Sequence, residues 1–125
     1  MLERWLNIYQ SMFKIGDKWI KKWVITHDIQ QLFVKISKDK NPMHLESAFA
    51  KKNGFNDKIV HGNVLNCFIS FFVGEMLPVK TVILIEQSIK YYNPCYVGDA
   101  LSFTSKLTNI KKSTKCMYFD YSFNG

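Results

Sequence analysis

Apolar and polar positions along this chain change period several times, and each change predicts an element. Leu2, Trp5, Leu6, Ile8 and Tyr9 follow a loosely helical spacing before a turn at Gly16-Asp17. Residues 19–26 then alternate, with Ile20, Lys22, Val24 and Thr26 set against Trp19, Lys21, Trp23 and Ile25, which predicts a strand. Thr26 or Asp28 is placed to cap the helix that follows, with Ile29, Leu32, Phe33 and Ile36 on one face. Pro42 stops any continuation and fixes Asn41 in an extended or turn conformation. A short helix over about 46–53 ends at Gly54, a residue suited to the left-handed position after a helix. Gly62 opens the most apolar helix of the chain, carrying Val64, Leu65, Cys67, Phe68, Ile69, Phe71, Phe72, Met76 and Leu77, and Pro78 ends it. Being apolar on nearly every side, that helix is predicted to lie buried at the centre of the fold. The remainder reads as strands: 81–92, a turn at Asn93-Pro94, another at Gly98-Asp99, then 101–110 and a last strand from Lys115. One long helix wrapped by an antiparallel sheet, an α+β domain, is the simplest architecture.

Met12 begins a segment that itself looks like a natural start, so residues 1–11 are expected to be an appended helical segment and 12–125 the domain. Asn124-Gly125 is a strong hairpin signal after which a strand should return. The expectation is a truncated sequence or a sheet lacking its last strand, which would leave residues 117–123 with an unpaired edge.

Composition narrows the class. At 125 residues the chain is long enough for one real core, and 15% aromatic content favours broad buried faces or a subunit interface. The apolar run from Val64 to Val73 is interrupted by Asn66 and Ser70, and is too short and polar for a membrane span. Glu3 and Arg4 with no small-residue cleavage site do not read as a secretory signal. Cys67, Cys95 and Cys116 show no paired spacing, so free thiols and a cytoplasmic location are expected. The net charge of +7 comes from scattered lysines with Arg4 as the single arginine, a poor match for groove-reading nucleic-acid proteins. It is equally a solvated lysine-rich surface or one that attracts polyanions, coenzyme A phosphates among them.

The chemistry-bearing residues sit in two short stretches. Asp39 and His44 flank the rigid Asn41-Pro42 turn, which lowers the cost of holding them together. A carboxylate and an imidazole so placed can hold one water between them; the plain alternative is a turn cap and a core-edge histidine. Gly62 stands at a helix start, where amides lack partners and the dipole is positive, so its N–H can stabilise negative charge on a thioester oxygen; a simple turn glycine is the alternative. His61 beside it can brace the loop. Ser70 interrupts the apolar helix, either to support Asp39 and a bound water or as a backbone-satisfied core serine. His27, His44 and His61 are far apart in sequence and the cysteines lack ligand spacing, so no metal is expected, and no cofactor fingerprint is present.

Ser37-Lys38-Asp39-Lys40-Asn41-Pro42-Met43-His44 resembles the Ser-Gly-Asp-x-Asn-Pro-x-His motif of the MaoC-like acyl dehydratases and (R)-specific enoyl-CoA hydratases, which have the hotdog fold. Leu45, Phe49-Ala50, Gly54-Phe55, Ile59-Val60-His61-Gly62 and Pro94-Cys95-Tyr96-Val97-Gly98-Asp99 extend the likeness over nearly the whole chain from Phe13. The resemblance implies Asp39 and His44 as the catalytic pair, Gly62 as the oxyanion-hole amide and Ser70 as a supporting serine. It also implies a CoA or acyl-carrier-protein thioester substrate and a homodimer or dimer of dimers. The implied reaction is hydration of trans-2-enoyl thioesters to (R)-3-hydroxyacyl thioesters, or its reverse. A non-catalytic acyl-thioester binder and a hotdog thioesterase are the alternatives. Lys38 stands where the motif usually has glycine; if that position needs positive φ, lysine costs about 1 kcal/mol there.

Overall fold

Alternating residues do place strands towards both ends of the described chain. The structure, a computed structural model, describes residues 11–125; the expected appended segment therefore lies, apart from Ser11, outside the described residues. Two compact units divide the chain, one from its two ends (up to Trp23 and from Leu101 to Gly125) and one over Val24–Ala100.

The first unit holds a three-stranded sheet of order β1-β2-β3, with β1 at Lys18–Val24, β2 at Ala100–Lys111 and β3 at Cys116–Asn124. Leu101, Phe103, Ser105 and Leu107 alternate as the buried face of β2, while the residues between them are more exposed. Antiparallel pairing sets Phe103 opposite Phe123 and Leu107 opposite Phe119. The register slips between Leu107 and Asn109, where Thr108 is the extra residue and its hydroxyl donates to the Tyr118 carbonyl at 3.1 Å. Gly16 takes φ +98°, and its N–H donates to the Leu107 carbonyl at 2.8 Å, so the Gly16-Asp17 turn leads the chain into the sheet.

The second unit carries the helices. α1 runs His27–Ser37, capped by the Thr26 hydroxyl, which accepts from Ile29 N–H at 3.2 Å. Its inward stripe is not the expected one. Gln30 is fully buried and Ile29, Phe33 and Val34 are half-buried, whereas Leu32 and Ile36 are exposed. Pro42 starts a helix instead of only stopping one: α2 spans Pro42–Leu45, with the proline where no N–H is needed and Asn41 Oδ1 accepting from Met43 N–H at 2.9 Å. α3 follows at Ser47–Lys52, and Gly54 beyond it has φ +93°.

α4 covers Val64–Phe71 and continues as a π-helical turn over Phe72–Met76. Val64, Leu65, Phe68, Ile69 and Phe72 are buried, each worth about 1.5–3 kcal/mol relative to exposure. The opposite stripe of Cys67, Ser70, Phe71 and Gly74 is exposed, which corrects the expectation of burial on nearly every side. The expected strand over 81–92 forms no ladder; that stretch is without regular secondary structure. Ile83 and Ile85 in it are 83% and 71% exposed. Asn93 is a bend, and a tight turn follows at Gly98-Asp99 as expected, closed by Asp99 Oδ2 accepting from Tyr96 N–H at 2.9 Å, with Gly98 at φ +97°.

Candidate active site

Residues 37–44 fold on their own side chains. Ser37 Oγ accepts from Asp39 N–H at 3.1 Å, Asp39 Oδ1 accepts from Asn41 N–H at 3.1 Å, and Asn41 caps α2. Lys38 occupies the left-handed region at φ +59° as the residue after α1, donating its N–H to the Val34 carbonyl. That conformation costs a lysine about 1 kcal/mol, so the absent glycine leaves real strain beside Asp39.

With Oδ1 engaged, Asp39 Oδ2 is left facing the histidines. It lies 3.9 Å from His44 Nε2 and 3.9 Å from His61 Nε2, on a side chain 47% exposed. His44 Nδ1–H donates to the Ile59 carbonyl at 2.9 Å, which assigns the ring hydrogen and leaves the Nε2 lone pair towards Asp39. Two further bonds hold His44 from behind. Gln30 Nε2 donates to the His44 carbonyl at 2.9 Å, and Ile59 N–H to the Met43 carbonyl at 3.0 Å. Asp39 Oδ2 and His44 Nε2 are thus two acceptors too far apart to bond directly, a spacing that a single water donating to both can bridge.

His61 and Gly62 enter from the turn before α4. The His61 ring is 3% exposed, stacks on His44 at 3.9 Å between centroids, and donates from Nε2 to the Asp39 carbonyl at 3.0 Å. Among the described residues the N–H of Gly62 has no partner. A cavity of about 400 Å³ is lined by Asp39, His44, His61, Gly62 and Asn63, with Phe33, Ser37 and Tyr91. A second of about 340 Å³ shares His44, His61, Gly62 and Tyr91 and adds the apolar Phe55, Ile59, Val60, Leu65 and Pro94, with Cys95.

The Tyr91 ring lies directly over Gly62: a Cβ there would sit 3.1 Å from Tyr91 Cζ. Burial raises the Tyr91 hydroxyl above its usual range, and the bond to the Asn66 side chain partly offsets that, so it is a neutral phenol. Burial, then the Asp99 charge, likewise raise the Cys95 thiol and keep it protonated at the cavity wall.

Asp39, His44 and Gly62, singled out from the sequence, line one cavity. Ser70 does not join them: it is exposed and lines neither cavity, because the buried stripe of α4 passes through Phe68, Ile69 and Phe72. Gln30, His61 and Tyr91 were not in the expected site. The only signal for any of them was the place of His61 next to Gly62; nothing in the local pattern marks Gln30 as a brace for a residue fourteen positions away. Asp39, His44 and His61 also bring donor atoms within 4.8 Å of one another. Nearly parallel stacked rings, 26° apart, direct their in-plane lone pairs side by side, and His61 Nε2 carries a hydrogen, so this arrangement is ill suited to grip a cation.

The chain as a whole is similar to several known proteins. An (R)-specific enoyl-CoA hydratase of Aeromonas caviae is 36% identical over 80 residues, covering 64% of this chain and 60% of that protein. A mitochondrial 3-hydroxyacyl-[acyl-carrier-protein] dehydratase of Arabidopsis thaliana is 27% identical over 116 residues, 86% of this chain and 69% of that protein. The solved (R)-hydratase of A. caviae involved in PHA biosynthesis superposes with a TM-score of 0.82 at 28% identity, over 89% of this chain and 84% of that one. The match thus spans about 60% of the length of the A. caviae relative. The family model of the MaoC like domain matches residues 15–121. With that match over most of its length, and with a hotdog fold, the chain belongs to the MaoC-like dehydratase family.

Proposed function

We propose that the chain hydrates trans-2-enoyl thioesters to (R)-3-hydroxyacyl thioesters, or runs the reverse dehydration. The observation that carries this is the 3.9 Å gap between Asp39 Oδ2 and the His44 Nε2 lone pair, in a cavity also lined by Gly62. A water in that gap donates one hydrogen to each. As its oxygen bonds to the β-carbon, Asp39 Oδ2 takes a proton and the double-bond electrons move towards the thioester oxygen. The Gly62 N–H stabilises the resulting enolate-like oxygen, a contribution of about 3 kcal/mol for one well-aimed donor. The Asp39–His44 pair then returns one proton to the α-carbon on the same face. Proton and hydroxyl balance, and the pair ends as it began. Ser70, facing solvent, has no step in this scheme.

The apolar second cavity is the place for the acyl chain. The carrier is coenzyme A or an acyl-carrier protein, the two carriers that the relatives are named for. We assign the domain to residues 12–125 and place it in the cytoplasm; no helix among the described residues is long and apolar enough to cross a membrane. The exposed side chains of Ile83 and Ile85 support a homodimer.

Incubation with crotonyl-CoA tests the reaction by loss of the conjugated thioester and by the handedness of the product. Asp39→Asn keeps the Oδ1 acceptor for Asn41 and removes the base, so turnover should fall about 100-fold or more without loss of fold. No turnover by the unmodified chain across several acyl lengths, or equal turnover in Asp39→Asn, overturns the proposal. Release of free CoA moves it to thioester hydrolysis.

A further inference from the structure

We infer that His61 is a positioning residue, which fixes the Asp39 backbone through its Nε2–H and backs the His44 ring; this rests on the hydratase reading above. A carbonyl oxygen only accepts, so the 3.0 Å contact with Asp39 O puts the hydrogen of His61 on Nε2. Nδ1 is then a bare lone pair, and it is buried with no hydrogen-bond partner. Leaving a buried polar atom unsatisfied is costly, a cost an apolar residue of the same shape would avoid. What histidine offers here, and a phenylalanine does not, is the Nε2–H.

The ring itself packs against two others. Phe33 of α1 lies 4.9 Å away at 52°, and His44 of α2 lies 3.9 Å away at 26°. The side chain of His61 therefore ties together α1, α2 and the Asp39 loop, while its own carbonyl leads into Gly62. No local turn chemistry sets the distance between Asp39 and Gly62, which are 23 positions apart in sequence. Ile59 ties His44 and Met43 to the segment before Gly62, and the bond from His61 to Asp39 O adds the link to Asp39 itself, right beside the oxyanion donor. With its Nε2–H engaged and its Nδ1 buried, His61 acts through Asp39 and His44.

Two variants of the full chain separate the donor from the ring. His61→Phe keeps a flat ring against Phe33 and His44 and removes the Nε2–H. His61→Gln sets an amide N–H near the same point and removes the ring. Misplacement of a reacting group by about 1 Å costs about 100-fold, so His61→Phe should lower kcat about 30-fold or more with KM changed less than about threefold. His61→Gln should stay within about fivefold of the unmodified chain in kcat. Full kcat in His61→Phe, or equal losses in both variants, overturns the inference, the second by leaving ring packing as the whole role.

Long-range proton–nitrogen correlation spectra give a readout that needs no turnover and no variant. His61 should show the Nε2–H form with a slowly exchanging Hε2, and His44 the Nδ1–H form. An Nδ1–H form at His61, or rapid exchange of Hε2, overturns the inference even if His61→Phe fails to fold. An unmodified chain inactive on enoyl thioesters but with this tautomer pattern defeats the hydratase reading and leaves the anchoring of Asp39 standing.

Discussion

Residues 37–44 and residues 81–92 belong to the same unit, yet one is fixed by its own side chains and the other is not. In the first, three consecutive side-chain-to-backbone bonds, from Ser37, Asp39 and Asn41, each reach two residues ahead. The second is rich in strand-forming residues and takes up no regular secondary structure. A turn closes its hydrogen bonds within itself, whereas a strand borrows them from a neighbour. The second stretch reaches the candidate site at Tyr91, whose ring covers Gly62.

That contact gives the largest effect expected from this pair of stretches. Gly62 has no positive φ, so Gly62→Ala suits its backbone, but the new Cβ meets Tyr91 ring carbons at 3.1–3.3 Å. The half-exposed ring must move, and the methyl group narrows the approach to the Gly62 N–H. Turnover should fall about 10-fold or more, while urea unfolding shifts by less than about 1 kcal/mol. If Tyr91 is the obstacle, adding Tyr91→Ala should recover part of the loss. If the double variant is no better, the obstruction lies on the substrate itself.

Within the self-closing loop, Asn41→Ala removes the cap on α2 and should cost about 1 kcal/mol in urea unfolding. Lys38→Gly works in the opposite sense. It relieves a lysine at φ +59°, and the freedom that glycine regains in the unfolded chain offsets part of the gain. A net stabilisation of about 0.5 kcal/mol is expected, and a loss of stability would show that the lysine side chain has a stabilising contact that outweighs its strain.

The same contrast explains what the sequence made legible. Asp39 and His44 were readable as a pair because the Asn-Pro turn between them is governed by short-range sterics and capping. The helix cap at Thr26 or Asp28, which the structure gives to Thr26, and the turns at Gly16, Gly54 and Gly98 were readable for the same reason. Gln30 was not, since it acts on a residue 14 positions away and breaks no local pattern, and for His61 only a bracing role was legible, not its partner 22 positions back. The stripe of α1 was misjudged because Leu32 and Ile36 look as apolar as Phe33, and only the packing decides which face turns inward. Ser70 was drawn in by its polarity on an apolar helix, although a polar residue there also suits an exposed stripe with Cys67 and Gly74.

The smallest effect is expected where the apolar residues are most exposed. Replacing both Ile83 and Ile85 with threonine removes side chains that bury little within the chain, so unfolding of dilute protein should change by less than about 0.5 kcal/mol. Threonine keeps the β-branched shape, so backbone preference changes little. The informative quantity is the concentration dependence. Where a second copy covers these residues, association stabilises the folded state by mass action, and the unfolding midpoint of the unmodified chain rises with protein concentration. The double variant should lose that dependence while matching the unmodified chain at high dilution. A midpoint independent of concentration in both would mean that residues 81–92 stay uncovered, and would remove the support they give to a homodimer.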